Sequence, residues 1–238
     1  MQYRCRANVN IYDSPQCHTL ATQAAKGRYL EILEPTGNGK GSDRSASMVR
    51  LWEDDYPGWL LNSDLDKIEQ APAPGKFPIL SVEEIKNRLP SAIAFTYQAM
   101  NAPNYYLWGG TVGPNYDCSG LMQAAFANVG ICIPRDAYQQ EAFTEGINTE
   151  PINLDKRDNL LYLIEPGDLI FFGPSEKATH VGLYLGDGRY IHSSGKEEGR
   201  NGIGIDVLSE TGDEVSRGYY RKLRGAGRII KSYQPSCS

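Results

Sequence analysis

Basic charge is in deficit in this chain of 238 residues: 24 Lys and Arg against 29 Asp and Glu give a formal net charge of -5. A general nucleic-acid binder needs a basic footprint, so the expectation is no nucleic-acid partner. Long apolar runs are missing too. None reaches the ~20 residues of a membrane-spanning helix, so no membrane partner is expected. Met1-Gln2-Tyr3-Arg4-Cys5-Arg6 leads into no apolar h-region. No secretory signal is read there, and the expected location is the cytoplasm. Cysteine is confined to Cys5, Cys17, Cys118, Cys132 and Cys237. An odd number without a CxxC pair supplies neither a disulfide framework nor a zinc ribbon, and at least one thiol must be free. Histidine is scarcer still, at His18, His180 and His192. No internal repeat is evident.

What is present is an ordinary globular composition, 40% hydrophobic and 10% aromatic, enough to exclude disorder. The chain divides in two. Residues 1–70 read as short strands, such as Arg28–Leu33, Met48–Trp52 and the run after Tyr56-Pro57-Gly58, with a glycine-rich turn at 37–42. No long helical period interrupts them, which predicts a small β-barrel. Residues 71–80 carry three prolines and read as an extended linker. From 81 to 238 the pattern changes. Ser81-Val82-Glu83-Glu84 is a capping box, Pro90 is expected to end or bend its helix, and Ser91–Met100 is expected to continue as a second helical piece. A third helical piece follows Cys118, with an apolar stripe of Leu121, Met122, Ala125, Phe126 and Val129 and a stop at Gly130. Strands are expected at Asp168–Phe172, His180–Leu185, Arg189–Ser193, Ile203–Leu208 and Tyr219–Ile230. Helices first and strands later predict an α+β domain with an antiparallel sheet.

Asp117-Cys118-Ser119-Gly120 sets a cysteine at a helix start, where unpaired amides and the macrodipole favour a thiolate. A nucleophilic thiol also needs a base. His18 reads as a surface residue, but His180 and His192 fall on one predicted hairpin. Its odd positions 181, 183 and 185 are apolar, and Gly186-Asp187-Gly188 is a natural three-residue loop. Residue 185 then faces 189 and paired numbers sum to 374. His192 falls opposite Gly182, on the face of His180 and about 7–8 Å from it along the diagonal. A Cys–His–His relay follows if the loop has odd parity. The spacing alone leaves open metal ligation by the same three residues.

Tyr106-Leu107-Trp108-Gly109-Gly110, Asp117-Cys118-Ser119-Gly120-Leu121, Pro166-Gly167-Asp168-Leu169-Ile170-Phe171-Phe172, Thr179-His180-Val181-Gly182 and Ile191-His192-Ser193-Ser194 together resemble the NlpC/P60 family of cell-wall cysteine peptidases, in the family's order. Arg50-Leu51-Trp52 and Pro57-Gly58-Trp59-Leu60 more weakly resemble a bacterial SH3-like domain. The resemblance implies a papain-like α+β catalytic domain behind an SH3-like barrel. It implies Cys118 as nucleophile, His180 as base, His192 as the group orienting it, and Tyr106 as an oxyanion donor. Asp117 and Ser119, with Glu53 and Tyr56 from the first domain, would bind the free amine of the substrate. Glu53-Asp54-Asp55 can also be read as a solvated acidic turn. Ala137 departs from the family, whose members often carry serine there. The implied activity is cleavage of the γ-D-glutamyl–diamino acid bond of a murein peptide bearing a free N-terminal L-alanine, with no cofactor or metal. An inactive or acyl-transferring homologue that mainly binds the wall is the alternative.

Overall fold

A computed structural model of the chain describes residues 1–34, 45–73, 75–147 and 160–236. The glycine-rich turn at 37–42, Pro74 and Cys237 lie outside the described residues.

Period-two burial builds the first region. Val9 and Ile11 on β2 (Val9–Tyr12) and Val49 and Leu51 on β5 (Ala46–Leu51) point inward, and their neighbours are only partly buried. With Leu30 and Leu60 they form one apolar core, the arrangement an alternating strand favours. Among the described residues seven antiparallel strands share it, in the order β3-β2-β6-β5-β4-β1-β7. The others are β1 (Gln2–Cys5), β3 (Leu20–Ala24), β4 (Tyr29–Glu34), β6 (Pro57–Leu61) and β7 (Ile68–Gln70).

The second region opens with α1 (Val82–Asn101), which begins on the expected capping box. Ser81 N donates to Glu84 Oε2 at 2.8 Å and Glu84 N to Ser81 Oγ at 3.2 Å. Pro90 does not end this helix, which runs through it as one element. The hydrogen bond that proline forfeits is offset by burial of Ile85 and Ala92 on either side of it. Next come α2 (Cys118–Asn128), α3 (Ala137–Phe143) and α4 (Glu214–Arg221). Gly130, at φ +72°, takes the left-handed position just past α2, which glycine adopts without steric cost.

Among the described residues the sheet has six strands, in the order β12-β11-β10-β9-β13-β8. They are β8 (Glu145–Ile147), β9 (Leu169–Phe172), β10 (His180–Gly186), β11 (Arg189–Ser194), β12 (Gly202–Val207) and β13 (Leu223–Arg228). Its two faces feed two cores. Leu169, Phe171, Val181, Leu183 and Ile191 pack with Leu121, Met122 and Phe126 of α2. Ile170, Phe172, Tyr184 and Tyr190 pack with Tyr219 and Tyr220 of α4. The strand expected from Tyr219 therefore begins later, at Leu223. Asp213 caps a helix instead, accepting from Ser216 N at 2.9 Å, and that helix buries both tyrosines.

The two regions are joined by directed polar contacts. Gln23 Oε1 accepts from Thr111 N and Val112 N, each at 3.1 Å, while Thr111 Oγ1 donates to Gln23 O at 2.7 Å. Gly109, at φ +78°, lies so close to β3 that a Cβ there would stand 2.6 Å from Leu20 O.

Candidate active site

Cys118 is the first residue of α2, and Asp117 is its N-cap. One Asp117 oxygen accepts from Gly120 N at 2.7 Å, the other from Gly109 N at 2.8 Å. Arg135, only 2% exposed, clamps the same carboxylate with two bonds of 3.1 and 2.5 Å. Its remaining donors reach Ser119 Oγ at 2.8 Å and Thr22 Oγ1 of β3 at 2.9 Å. These contacts give Asp117 and Ser119, the residues expected to bind the substrate amine, internal partners of their own. Both border the cleft, but Arg135 neutralises the Asp117 carboxylate and internal donors saturate it.

The Cys118 thiol is buried, and burial, followed by the Asp117 charge, pushes it up to about 12. The amides of Val181 and Ser119 and the Arg135 charge pull the other way without prevailing. The thiolate expected from a helix start is therefore a thiol at rest, and its proton needs an acceptor. Cys5, also pushed up to about 12, and Cys132, up to about 11, owe their shifts first to burial as well, so it is the neighbours of Cys118 that set it apart.

The hairpin supplies those neighbours. Leu183 pairs with Ile191 and Tyr184 with Tyr190, so the predicted sum of 374 holds in the body of the hairpin. The tip differs from expectation. Gly186 pairs with Arg189 across a two-residue Asp187-Gly188 turn, and the register shifts between Tyr184 and Gly186. Both turn residues have positive φ, 53° and 72°, as a type I′ turn requires. A bulge at Leu185 thus restores the parity that an even loop would have lost. His180 and His192 share a face, with Nε2 of the first and Nδ1 of the second 2.7 Å apart.

The chain of contacts continues beyond the predicted residues. His192 Nε2 stands 2.7 Å from Asp206 Oδ2. Asp206 also receives Arg200 and, at 3.1 Å, the Ser216 hydroxyl. Burial pushes the Asp206 carboxyl up, but bonds from His192 and Arg200 outweigh it and hold it well below the usual carboxylate range. An ionised Asp206 only accepts, so His192 carries its proton on Nε2 and offers the Nδ1 lone pair. His180 then donates from Nε2, and its Nδ1 is left as a free lone pair. Burial, followed by the neighbouring His192, lowers His180 well below its ordinary value, so it rests neutral, the form a base requires. Tyr219 stacks on the His180 ring at 4.4 Å between centroids and donates to or accepts from Ser194 at 2.8 Å.

A cleft of about 380 Å³ opens over Cys118. Tyr106, Trp108 and Tyr138 wall it, and Asp13, Tyr56 and Asp136 stand among its lining residues. Burial, then the nearby Cys118 and Asp117, raises the Tyr106 phenol, which stays a proton donor. Tyr56 Oη lies 3.4 Å from each Asp136 carboxylate oxygen. Glu53 is absent from this cleft. It pairs with Arg28 at 2.5 Å and borders a different cavity of about 700 Å³, which none of Cys118, His180 and His192 lines. The turn Glu53-Asp54-Asp55 is not a solvated one either: Gln123 of α2 donates to Asp54 at 2.6 Å, and Tyr233 to Asp55 at 3.1 Å. Only Tyr56 reaches the cleft. Ala137 is buried at its edge, and His18 is exposed. Among the described residues no group of three His, Cys, Asp or Glu is arranged to hold a metal ion, and no helix is long and apolar enough to cross a membrane.

Sequence reasoning missed Asp206, Arg135, Asp136 and Asp13. Parity could have found Asp206, because His192 pairs with Gly204 and residue 206 lies two along on the same face. Arg135-Asp136 carried no periodic signal.

The chain belongs to the NlpC/P60 family, whose model matches residues 103–222. A bacterial dipeptidyl-peptidase SH3 domain model matches residues 11–65. The chain is 36% identical over 109 residues to a gamma-D-glutamyl-L-lysine dipeptidyl-peptidase of Bacillus subtilis, covering 44% of this chain and 31% of that one. It is 38% identical over 129 residues to the bifunctional muramidase/DL-endopeptidase CwlT of the same organism, covering 52% and 32%. The chain thus spans about a third of the length of these curated relatives. A crystal structure of an NlpC/P60 family protein from Bacillus cereus is similar at 22% identity and TM-score 0.46, over 96% of this chain and 63% of that one.

Proposed function

We propose that this chain is a cysteine peptidase that hydrolyses the γ-D-glutamyl–diamino acid bond of murein peptides with a free N-terminal L-alanine. The observation that carries the reading is the 2.7 Å contact between His180 and His192, which leaves a neutral Nδ1 on the strand whose Val181 amide bonds to the buried Cys118 thiol. His180 takes the Cys118 proton as sulfur attacks the γ-carbonyl of D-glutamate. The oxyanion is met by Tyr106 Oη and amides near Cys118. Collapse expels the diamino acid amine, which receives the proton from His180, and a thioester remains on Cys118. Water, deprotonated by His180, then attacks the thioester, releasing L-Ala-D-Glu and restoring the thiol.

The free amine is assigned to Asp136, Asp13 and Tyr56 rather than to Asp117, Ser119 and Glu53. Burial raises the Asp136 carboxyl, so an incoming ammonium would supply the compensating charge that a half-buried carboxylate needs. The relatives named as dipeptidyl-peptidases support an enzyme that counts from a free amine. Incubation with L-Ala-γ-D-Glu-meso-diaminopimelate and with its N-acetyl form, products identified by mass, tests the reading. Release of diaminopimelate from the free peptide alone is expected. Equal cleavage of both would remove the amine site and leave the peptidase. No cleavage of either would remove the substrate assignment.

A further inference from the structure

We propose that the relay has a fourth member: Asp206 is a positioning residue that fixes the tautomers of both histidines and thereby aims the His180 lone pair at Cys118. The inference rests on the peptidase reading and adds a residue to it. Three observations converge. The Asp206 and His192 side chains are both 0% exposed and 2.7 Å apart, so no solvent competes for the contact. His192 in turn stands 2.7 Å from His180, so one tautomer choice at Asp206 dictates both rings. Asp206 is itself held on other sides, by Arg200 and by Ser216 of α4. Arg200 also binds Asp213, the N-cap of α4, at 2.9 Å, and α4 carries the Tyr219 ring stacked on His180. Ring orientation and ring protonation are therefore set from one anchor. The charged groups facing the imidazoles are Asp206, Arg200 and Lys222, and the rings of Tyr219, Tyr190 and Phe172 pack against them on the other sides.

The reciprocal arrangement would fail chemically. Had His192 carried its proton on Nδ1, it would donate toward His180 Nε2, and the His180 proton would move to Nδ1, the nitrogen that must receive one from Cys118. Asp206 excludes that state because it can only accept. The same logic makes an orienting aspartate important in serine hydrolases, where a wrong tautomer is costly although the geometry survives.

Nitrogen-15 spectra of the histidine rings test the assignment without any substrate. Both His180 and His192 should appear as Nε2–H tautomers at neutral pH. An Nδ1–H form of His192 in the wild-type protein overturns the proposal. Asp206→Asn should mix the tautomers and lower kcat roughly 100-fold with KM little changed. Asp206 favours the imidazolium, so its loss should move the acidic limb of the kcat/KM profile to lower pH. A purely structural role would lower the rate with the limb in place, and that result also overturns it. Iodoacetamide modification of Cys118, scored against Cys132, should slow about tenfold in Asp206→Asn. This readout separates failure of Asp206 from failure of the murein-peptide reading. If Asp206→Asn does not fold, Arg200→Gln removes its cation and leaves the His192 contact. It should shift the limb in the opposite direction, because Arg200 disfavours a charged His192, and an unmoved limb would count against the proposal.

Discussion

The two ends of the cleft are built on different terms. At the relay end, Cys118, His180, His192 and Asp206 all belong to the NlpC/P60 region and are buried. At the far end, Asp136 of the same region faces Tyr56 of the SH3-like region, with Asp13 contributed by the barrel. The relay end is a finished network made within one region, by strands β10, β11 and β12 with α2, α4 and Arg200. The far end exists only while the two regions stay docked. Chemistry and selectivity are thereby separable: a change at one end should alter turnover, and a change at the other should alter which peptide is held.

The largest break in that comparison is at Cys118, the proposed nucleophile. Cys118→Ala should lower turnover by about 10⁴-fold or more, since the thioester route is removed altogether. It should leave the melting temperature near wild type, as measured by thermal unfolding. His180→Ala should cost about 10²–10⁴-fold in kcat, the usual contribution of a positioned acid–base group. His192→Ala should cost less, roughly 10–100-fold, because it orients rather than transfers. Steady-state kinetics that reverse this order would reassign the two roles.

Arg135 joins the two ends. Its side chain is 2% exposed and its partner Asp117 8%, and it ties the helix cap to Thr22 of the barrel. Removing one partner of a buried pair typically costs about 3–5 kcal/mol. Arg135→Met should therefore destabilise the protein by that amount in chemical denaturation and lower activity through displaced helix geometry. A loss under about 1 kcal/mol would mean that Asp117 finds other compensation.

Much of the relay end was legible in the sequence, because strand parity is arithmetic. The sum of 374 put both histidines on one face, and even the unforeseen bulge at Leu185 preserved that outcome. The docking between regions was not legible. Gln23, Thr22, Arg135 and Asp54 contact residues far away in the chain, and neither periodicity nor local motif encodes such pairings. Tyr219 was misread as strand for a related reason: its helix is short and is fixed by the Asp213 cap and by burial against the sheet. The thiol, too, was read from its helix start alone. The opposing burial and the Asp117 charge are properties of the fold.

The far end sharpens through Asp136. Hydrogen bonds to charged groups contribute about 1.5–3 kcal/mol, so Asp136→Asn should raise KM for the free-amine peptide by about 10- to 100-fold with kcat less affected. The N-acetylated peptide should stay uncleaved, as expected for the wild-type protein.

The smallest effect is expected at Glu53, and it discriminates between two placements of the amine site. The resemblance assigned Glu53 to the amine, but its carboxylate pairs with Arg28 at 2.5 Å and also accepts from Tyr29 N at 3.3 Å. It borders the larger cavity rather than the cleft. Glu53→Gln keeps the shape and an acceptor, while Asp54, 3.7 Å from Arg28, remains as its counter-charge. The stability loss should be about 1 kcal/mol, since both partners are partly solvated, and KM for the free peptide should stay within about threefold. A tenfold or larger rise in KM, confined to the free-amine peptide, would return Glu53 to the amine site and require the barrel to dock differently around substrate. A fall in kcat for the free peptide without a rise in KM would instead report loosened docking, because Asp54 of the same turn bonds to Gln123 on the helix that carries Cys118.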